Sequence, residues 1–397
     1  MSKSLKILLS VLALISACLS LAIVFDWNPL QKIKTGLTLT TTPSLERSEE
    51  EFKEKEKNIA QLTLSWLNSQ KNEEGIYRIS YSCLKDEDEN VIYSSRIFPS
   101  VLWGKLKYYE KNSDYEGISE LEKELDLAIN TPTQNNQWNC KLMKDFWESN
   151  ILSQEQKEKA KVYCRDTGGE GYSGSDMYNV AEIDSNELKN SILKNIDNIV
   201  NGLPVSFDEF YEASHLINDF EKVTAYVSNA SARYLLEKEE NESNEELINN
   251  LRKSALQNYY LALQGYSVID KNIKDNSLLG IASLDLHRMT NEQKYLDMAL
   301  YLFDENEKLE NNKINYNYDY VYFGLFAKDL FDMTGNKLYK EKLKSIKNKI
   351  IEDQFIHPIC KDVDNFILDT EKGGFRSGVG NFYLIGENSL MLGLLSI

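Results

Sequence analysis

SLDLHRMTNEQKYLDMALYLF (283–303) and AKDLFDMTGNKLYKEKLKSIKNKI (327–350) repeat one pattern. In each, a helix-forming run stops at Met-Thr, a short polar turn follows, and a tyrosine stands five residues after the threonine, at Tyr295 and at Tyr339. The next apolar residues are Ala299 and Leu302 in the first copy and Leu343, Ile346 and Ile350 in the second. These are i, i+4 and i+7 spacings, so each tyrosine opens the packed face of the following helix. The two tyrosines are 44 residues apart. A fainter copy is VLWGKLKYYEKNSDYEGISELEKELDLAI (101–129), with Tyr115 in the tyrosine position, 180 residues before Tyr295. That is about four such intervals, which predicts six or seven helical hairpins over residues 48–397.

Two further fragments fit the ends of such an array: WLNSQKNEEGIY (66–77) and GGFRSGVGNFYLIGENSLMLGLLSI (373–397). Together with the repeated helix–turn–Tyr–helix unit, they resemble the (α/α) toroid of the six-hairpin glycosidase superfamily. The resemblance implies an all-α ring of about six hairpins with small irregular or strand-like loop insertions, whose last helix packs beside its first. It also implies a site on loops at one mouth of the ring. The structural competitor is an open TPR-like solenoid, suggested by NLRKSALQNYYLAL (250–263). Its repeat of about 34 residues is shorter than the interval seen here. Helical periodicity covers most of the chain, and Ser48 begins a charged helix with an apolar face at Ile59, Leu62, Trp66 and Leu67. Two stretches depart from it: GIYRISYSC (75–83), which alternates like a strand, and the glycine-rich segment 165–182.

The chain has 397 residues, 42% of them hydrophobic, enough for a large core. Six prolines and nineteen glycines are too few for the frequent turns of a β-sandwich. The net charge of −17 repels phosphate backbones, which argues against nucleic-acid binding. At the amino terminus, Lys3 and Lys6 precede an uncharged run of nineteen residues, Ile7–Phe25. As a helix it would reach ~28 Å, close to the ~30 Å of bilayer hydrocarbon. The lysines orient it with the amino end inside. This predicts a transmembrane anchor over residues 1–27, a polar tether over 28–44 and an extracytoplasmic helical domain over 45–397. The rivals are a cleaved signal and lipidation at Cys18, within a lipobox-like Ile15-Ser16-Ala17-Cys18; all three place the bulk of the protein outside the cytoplasm.

Cys83, Cys140, Cys164 and Cys360 remain in the exported part, and an oxidising compartment permits disulfides among them, with Cys140–Cys164 the preferred pair. There is no CxxC, and His215, His287 and His357 are far apart, so nucleophilic triads and histidine metal sites have little support. No cofactor is called for. The sequons Asn229-Ala-Ser and Asn241-Glu-Ser match glycosylation acceptors, and the acidic run Asp86–Glu89 reads as a solvated loop before a calcium site.

Sugar-cleaving members of the resembled superfamily need a carboxylic acid to protonate the leaving oxygen and a second carboxylate opposite it. Three candidates stand in loop-like or helix-entry segments: Asp176 in RDTGGEGYSGSDMYN (165–179), Asp319 in NYNYDYVYFG (315–324) and Glu387 in FYLIGENSLM (382–391). Tyr172, Tyr178, Tyr318 and Tyr320 beside them offer rings for stacking on sugars. Each also has a plain structural explanation, as packing or helix capping. The expected ligand is therefore a carbohydrate, bound and in the stronger version cleaved or modified. The alternative is a non-catalytic envelope scaffold that contacts another envelope protein.

Overall fold

The computed structural model describes residues 43–77, 80–82, 99–130, 138–167, 185–205, 213–240, 244–269, 271–310, 317–356 and 382–397. The protein divides into residues 1–55 and a compact unit, residues 56–397, described below. The elements run α1 (Pro43–Ser69), β1 (Ser80–Ser82), α2 (Pro99–Asn112), α3 (Tyr115–Asn130), α4 (Asn139–Glu148), α5 (Gln154–Thr167), α6 (Ser185–Val200) and α7 (Ala213–Glu240). They continue with α8 (Glu245–Val268), α9 (Ile273–Thr290), α10 (Gln293–Glu310), α11 (Asn317–Thr334), α12 (Lys337–Ile356), β2 (Phe382–Leu384) and α13 (Ile385–Ser396).

Six helices pack side by side in the order α2, α4, α7, α9, α11, α13, and α13 returns to α2. This closed cycle is the inner ring of an (α/α) toroid. Helices α3, α5, α8, α10 and α12 each back the inner helix that precedes them, making five hairpins. The sixth position is completed by α1, whose Glu56 meets Lys347 of α12 at 2.8 Å and Lys111 of α2 at 3.5 Å. Helix α6 belongs to neither set and packs outside, on α8 and α10. An open solenoid has no contact between its last and first repeats, so the return of α13 excludes it.

Inner helices are covered on every side, and their composition follows: in α13, Leu390, Met391, Leu392, Leu394 and Leu395 are all buried. The outer helix α10 buries one stripe, Tyr295, Met298, Ala299, Leu302 and Phe303. At the closing seam a Cβ on Gly104 would lie 2.2 Å from the backbone oxygen of Ser389, so only glycine lets α2 and α13 approach this closely. Two lysines then satisfy carbonyls at the carboxyl-terminal end: Lys111 donates to Leu395 O at 2.8 Å and Lys347 to Ile397 O at 2.6 Å.

The repeated turns match atom for atom. Asn291 (φ 56°) and Gly335 (φ 66°) adopt the left-handed conformation after the helix end, and each N–H donates to the carbonyl four residues back at 2.7 Å. The hydroxyls of Thr290 and Thr334 donate to Leu286 O and Leu330 O, both at 2.7 Å, then accept from the N–H two residues on. Tyr295 and Tyr339 are buried, stacking edge-on against Tyr259 and Phe303.

The fainter copy needs a correction. Tyr115 is 72% exposed and opens no packed face. The left-handed residue there is Ser113, so the position matching Tyr295 and Tyr339 is Gly117, where the ring of Tyr109 from α2 takes the space. The tyrosine comes from the other helix of the hairpin. Strand pairing also differs from a lone strand over 75–83: Ser80–Ser82 pairs antiparallel with Phe382–Leu384, joining the segments that lead into α2 and α13. Asn229 is buried, and its Oδ1 accepts from the N–H of Cys140 at 3.1 Å, so it serves the start of α4 and is no glycan acceptor. Residues 1–27, the proposed anchor, lie outside the described residues, as do Asn241 and Asp86–Glu89. Among the described residues no helix is long and apolar enough to cross a membrane.

Candidate functional site at the entry face of the ring

Three inner helices begin with side chains that meet. Glu221 of α7 accepts from Lys274 of α9 at 2.7 Å and from the Tyr322 hydroxyl of α11 at 3.1 Å. About two to three turns further along the same helices, Asn229 contacts α4, while Asp285 and Asp329 meet Lys141 of α4. Numbers rise together, so these helices run in parallel and the ring has an entry face and an exit face. Connections leaving the inner helices are short: 113–114, 149–153, 241–244, 291–292 and 335–336. Those leading into them are mostly longer: 70–98, 131–138, 201–212, 311–316 and 357–384, with 269–272 the exception. Most of the sequence between helices is therefore attached at the entry face, where connecting segments can carry a site on a rigid scaffold.

The electrostatics at this face are acidic. Asp275 sits in the first turn of α9, tied by a capping arrangement in which Asn272 Oδ1 accepts from its N–H at 2.8 Å and Asn272 Nδ2 donates to its Oδ2 at 2.6 Å. Burial pushes its carboxyl up to about 6, against the opposing pull of Asn272 and Lys274, with Glu221 and Asp319 adding to the rise. A carboxyl with that value carries a proton for part of the time near neutral pH, as a general acid must. Asp319, in the first turn of α11, is buried and within electrostatic reach of Asp275.

Below this layer the axis is crossed by a buried ion network. Lys141 donates to both oxygens of Asp285 at 3.0 Å and to Asp329 at 2.9 Å, and Arg288 donates to Asp285 at 2.7 Å. Burial alone would raise Asp329, but Lys141 and Arg288 outweigh it and hold the carboxyl far below its usual range. It stays charged and cannot donate a proton. Between the two layers lies Trp138, in a left-handed conformation (φ 57°), its ring 5.6 Å from that of Tyr322. Among the described residues, no group of three or more His, Cys, Asp or Glu side chains is arranged to hold a metal ion.

Of the carboxylates singled out in the sequence, only Asp319 can be placed in this cluster. Asp176, Tyr172 and Tyr178 lie outside the described residues. Tyr318 and Glu387 fall in the first turns of α11 and α13, at the entry face, but only their backbone is described. Tyr320 is buried, with Lys349 of α12 5.4 Å from its ring centroid, so it packs toward the outer layer. Cys140 and Cys164 are joined, with Cα atoms 4.6 Å apart, and tie α4 to α5. Glu221 and Asp275 escaped the sequence reading, because Asn272-x-x-Asp275 reads as a helix cap and Glu221 lies in an unremarkable charged stretch. Asp285 and Asp329 did have a signal: they occupy the same position in the two repeats, 44 residues apart.

No family model and no curated protein sequence matches this protein. Among solved structures, a glycoside hydrolase family 76 mannosidase, Bt3792 from Bacteroides thetaiotaomicron VPI-5482, is similar at TM-score 0.47 and 12% identity, covering 86% of this chain and 97% of that one. The Lin0763 protein from Listeria innocua is similar at TM-score 0.46 and 14% identity, covering 86% and 96%. Likeness at this distance concerns the helical ring and transfers no residue role; the ring closure seen in this protein is what makes it a six-hairpin toroid.

Proposed function

We propose that this protein binds carbohydrate at the entry face of its ring and cleaves a glycosidic bond there. The observation that carries the reading is Asp275, a carboxyl held near pH 6 beside two other acids at the long-loop face of a closed helical ring. In this reading Asp275 protonates the leaving oxygen, and Glu221, held in place by Lys274 and Tyr322, is the opposing carboxylate. Asp319 sustains the proton on Asp275 by like-charge proximity. Asp176 and Glu387 remain candidates for the second carboxylate, with Tyr172, Tyr178 and Tyr318 as stacking rings.

The test is hydrolysis of a glycan panel by the purified protein, followed by Asp275→Asn and Glu221→Gln. The reading predicts release of reducing ends by the parent, loss of at least a hundredfold in kcat for each variant, and retained binding. Binding without turnover in the parent would leave a lectin-like function; silence in both assays favours the envelope scaffold.

The proposal also sets the ring outside the cytoplasm, tethered through Ile7–Phe25. The uncharged run and the Cys140–Cys164 bond support that placement. Protease added to intact cells should digest residues 56–397, and protection of that unit would refute it.

A further inference from the structure

We propose a second small-molecule site, on the exit face of the ring, that takes an uncharged polyhydroxy compound. A cavity of about 390 Å³ opens there, within the ~300–1,000 Å³ range of ligand pockets. Its floor is the Lys141–Asp285–Asp329–Arg288 network, and Trp103 and Trp138 contribute to its walls. It lies toward the ends of α4, α9 and α11, on the far side of Trp138 from Glu221 and Asp275.

Ser231 is the observation that points to a ligand. It lines the cavity and is 1% exposed, and its hydroxyl has no hydrogen-bond partner. Ser277 and Ser283 of α9 and Ser396 of α13 discharge theirs into the carbonyl four residues back, at 2.6, 2.7 and 2.8 Å; Ser228, one turn earlier on α7, is likewise unmatched but does not line the cavity. Leaving a buried hydroxyl unmatched costs ~1–3 kcal/mol, so such a group calls for a partner from outside.

The charges decide the class of ligand. Every charged side chain lining the cavity already has a counter-charge: Lys141 and Arg288 with Asp285 and Asp329, Lys144 with Glu148, Lys328 with Asp332, and Asp145 with Lys107. At the floor, an ionic ligand would have to displace a partner within the Lys141–Asp285–Asp329–Arg288 network and leave a largely buried charge unmatched. A neutral polyol displaces none. Its hydroxyls donate to spare carboxylate lone pairs, accept from Arg288, and pair with Ser231, while its C–H groups lie on the indoles. This assignment does not depend on sugar cleavage at the entry face.

The experiment is calorimetric titration of the purified full-length protein with methyl α-D-mannopyranoside, methyl β-D-glucopyranoside and D-mannitol, and with the charged probes glucuronate and glucosamine. Saturable binding of at least one uncharged probe is expected, with a component that depends on Ser231 and is tenfold or more tighter than for either charged probe. Ser231→Leu, which fills the cavity, should abolish it. Ser231→Ala, the milder variant, should weaken it roughly fivefold, the worth of about one hydrogen bond. Tyr115→Ala, at an exposed position outside both sites, should leave it unchanged. The proposal is overturned if no uncharged probe saturates, if a charged probe binds more tightly, or if Ser231→Ala and a folded Ser231→Leu both leave the binding intact.

Discussion

The hairpins α9/α10 and α11/α12 and the hairpins α2/α3 and α4/α5 solve the same architectural problem with different residues. The former pair repeats its sequence, and with it the threonine back-bond, the left-handed turn residue and the buried tyrosine. In the latter pair only α2/α3 reaches a comparable turn, at left-handed Ser113, whereas α4 ends on Ser149 in an extended conformation. In α2/α3, Asn112 Nδ2 donates to Tyr108 O at 2.8 Å where the repeats use threonine, and the filling ring is Tyr109 from the preceding helix. It then adds a buried cluster in which Lys105 donates to Glu124 at 2.7 Å and Lys71 pairs with the same carboxylate, beneath Tyr77. In α4/α5 the link is a disulfide. Where the left-handed turn recurs, as at Ser113, Asn291 and Gly335, side chains are interchangeable so long as the space is filled and the terminal carbonyls are satisfied.

The largest effect is expected where the two halves meet. Lys141 comes from the unrepeated half, while Asp285 and Asp329 come from the repeated one. Lys141→Met leaves Asp285 and Asp329 to share Arg288, one charge short of a partner, and should cost roughly 3–5 kcal/mol in denaturant unfolding. A loss below about 1 kcal/mol would mean the network is not the junction. Next, Tyr295→Ala should cost about 3–5 kcal/mol, whereas Tyr115→Ala should stay within about 0.5 kcal/mol, because only the former is buried. Equal losses would restore Tyr115 as a true third copy. Removing the disulfide with Cys140→Ala and Cys164→Ala should lower stability by about 2–4 kcal/mol and leave the repeated half as protected in hydrogen exchange as before.

A smaller, pH-dependent effect separates Asp275 from an ordinary cap. Its folded value of about 6 lies above that of an unfolded aspartate, so its favourable contribution is complete below about pH 4 and is lost as the pH rises to about 6. Asp275→Asn should therefore match the parent below about pH 4 and exceed it above about pH 6, by on the order of 1–2 kcal/mol allowing for partial exposure. A difference independent of pH would show that the carboxyl is not perturbed. Smallest of all, Thr290→Ala and Thr334→Ala should each cost about 1 kcal/mol and by similar amounts, since their bonds are the same.

The ring is readable in the sequence because its strongest signal, a helix stop followed by a buried tyrosine at a fixed interval, comes from backbone termination and packing, both local. The first hairpin misleads because Tyr115 matches the letter of the pattern while Gly117 and Tyr109 meet its spatial need. The entry-face cluster is not readable: Glu221, Asp275 and Asp319 belong to three helices and converge only once the ring has closed. Lys141 is one of many lysines, and nothing local tells it apart until Asp285 and Asp329 surround it. Asp319 stands out because rings flank it, although Tyr320 turns to the outer layer.

Ring closure underlies both proposed sites, and hydrogen exchange on the protein truncated before Ile385 tests it most directly. In a closed ring α13 packs on α2, as where Lys111 reaches a carbonyl 284 residues away, so its removal should strip protection from the amides of Val101–Tyr109. An α2 that keeps full protection without α13 would contradict the closed ring and return the fold to an open solenoid.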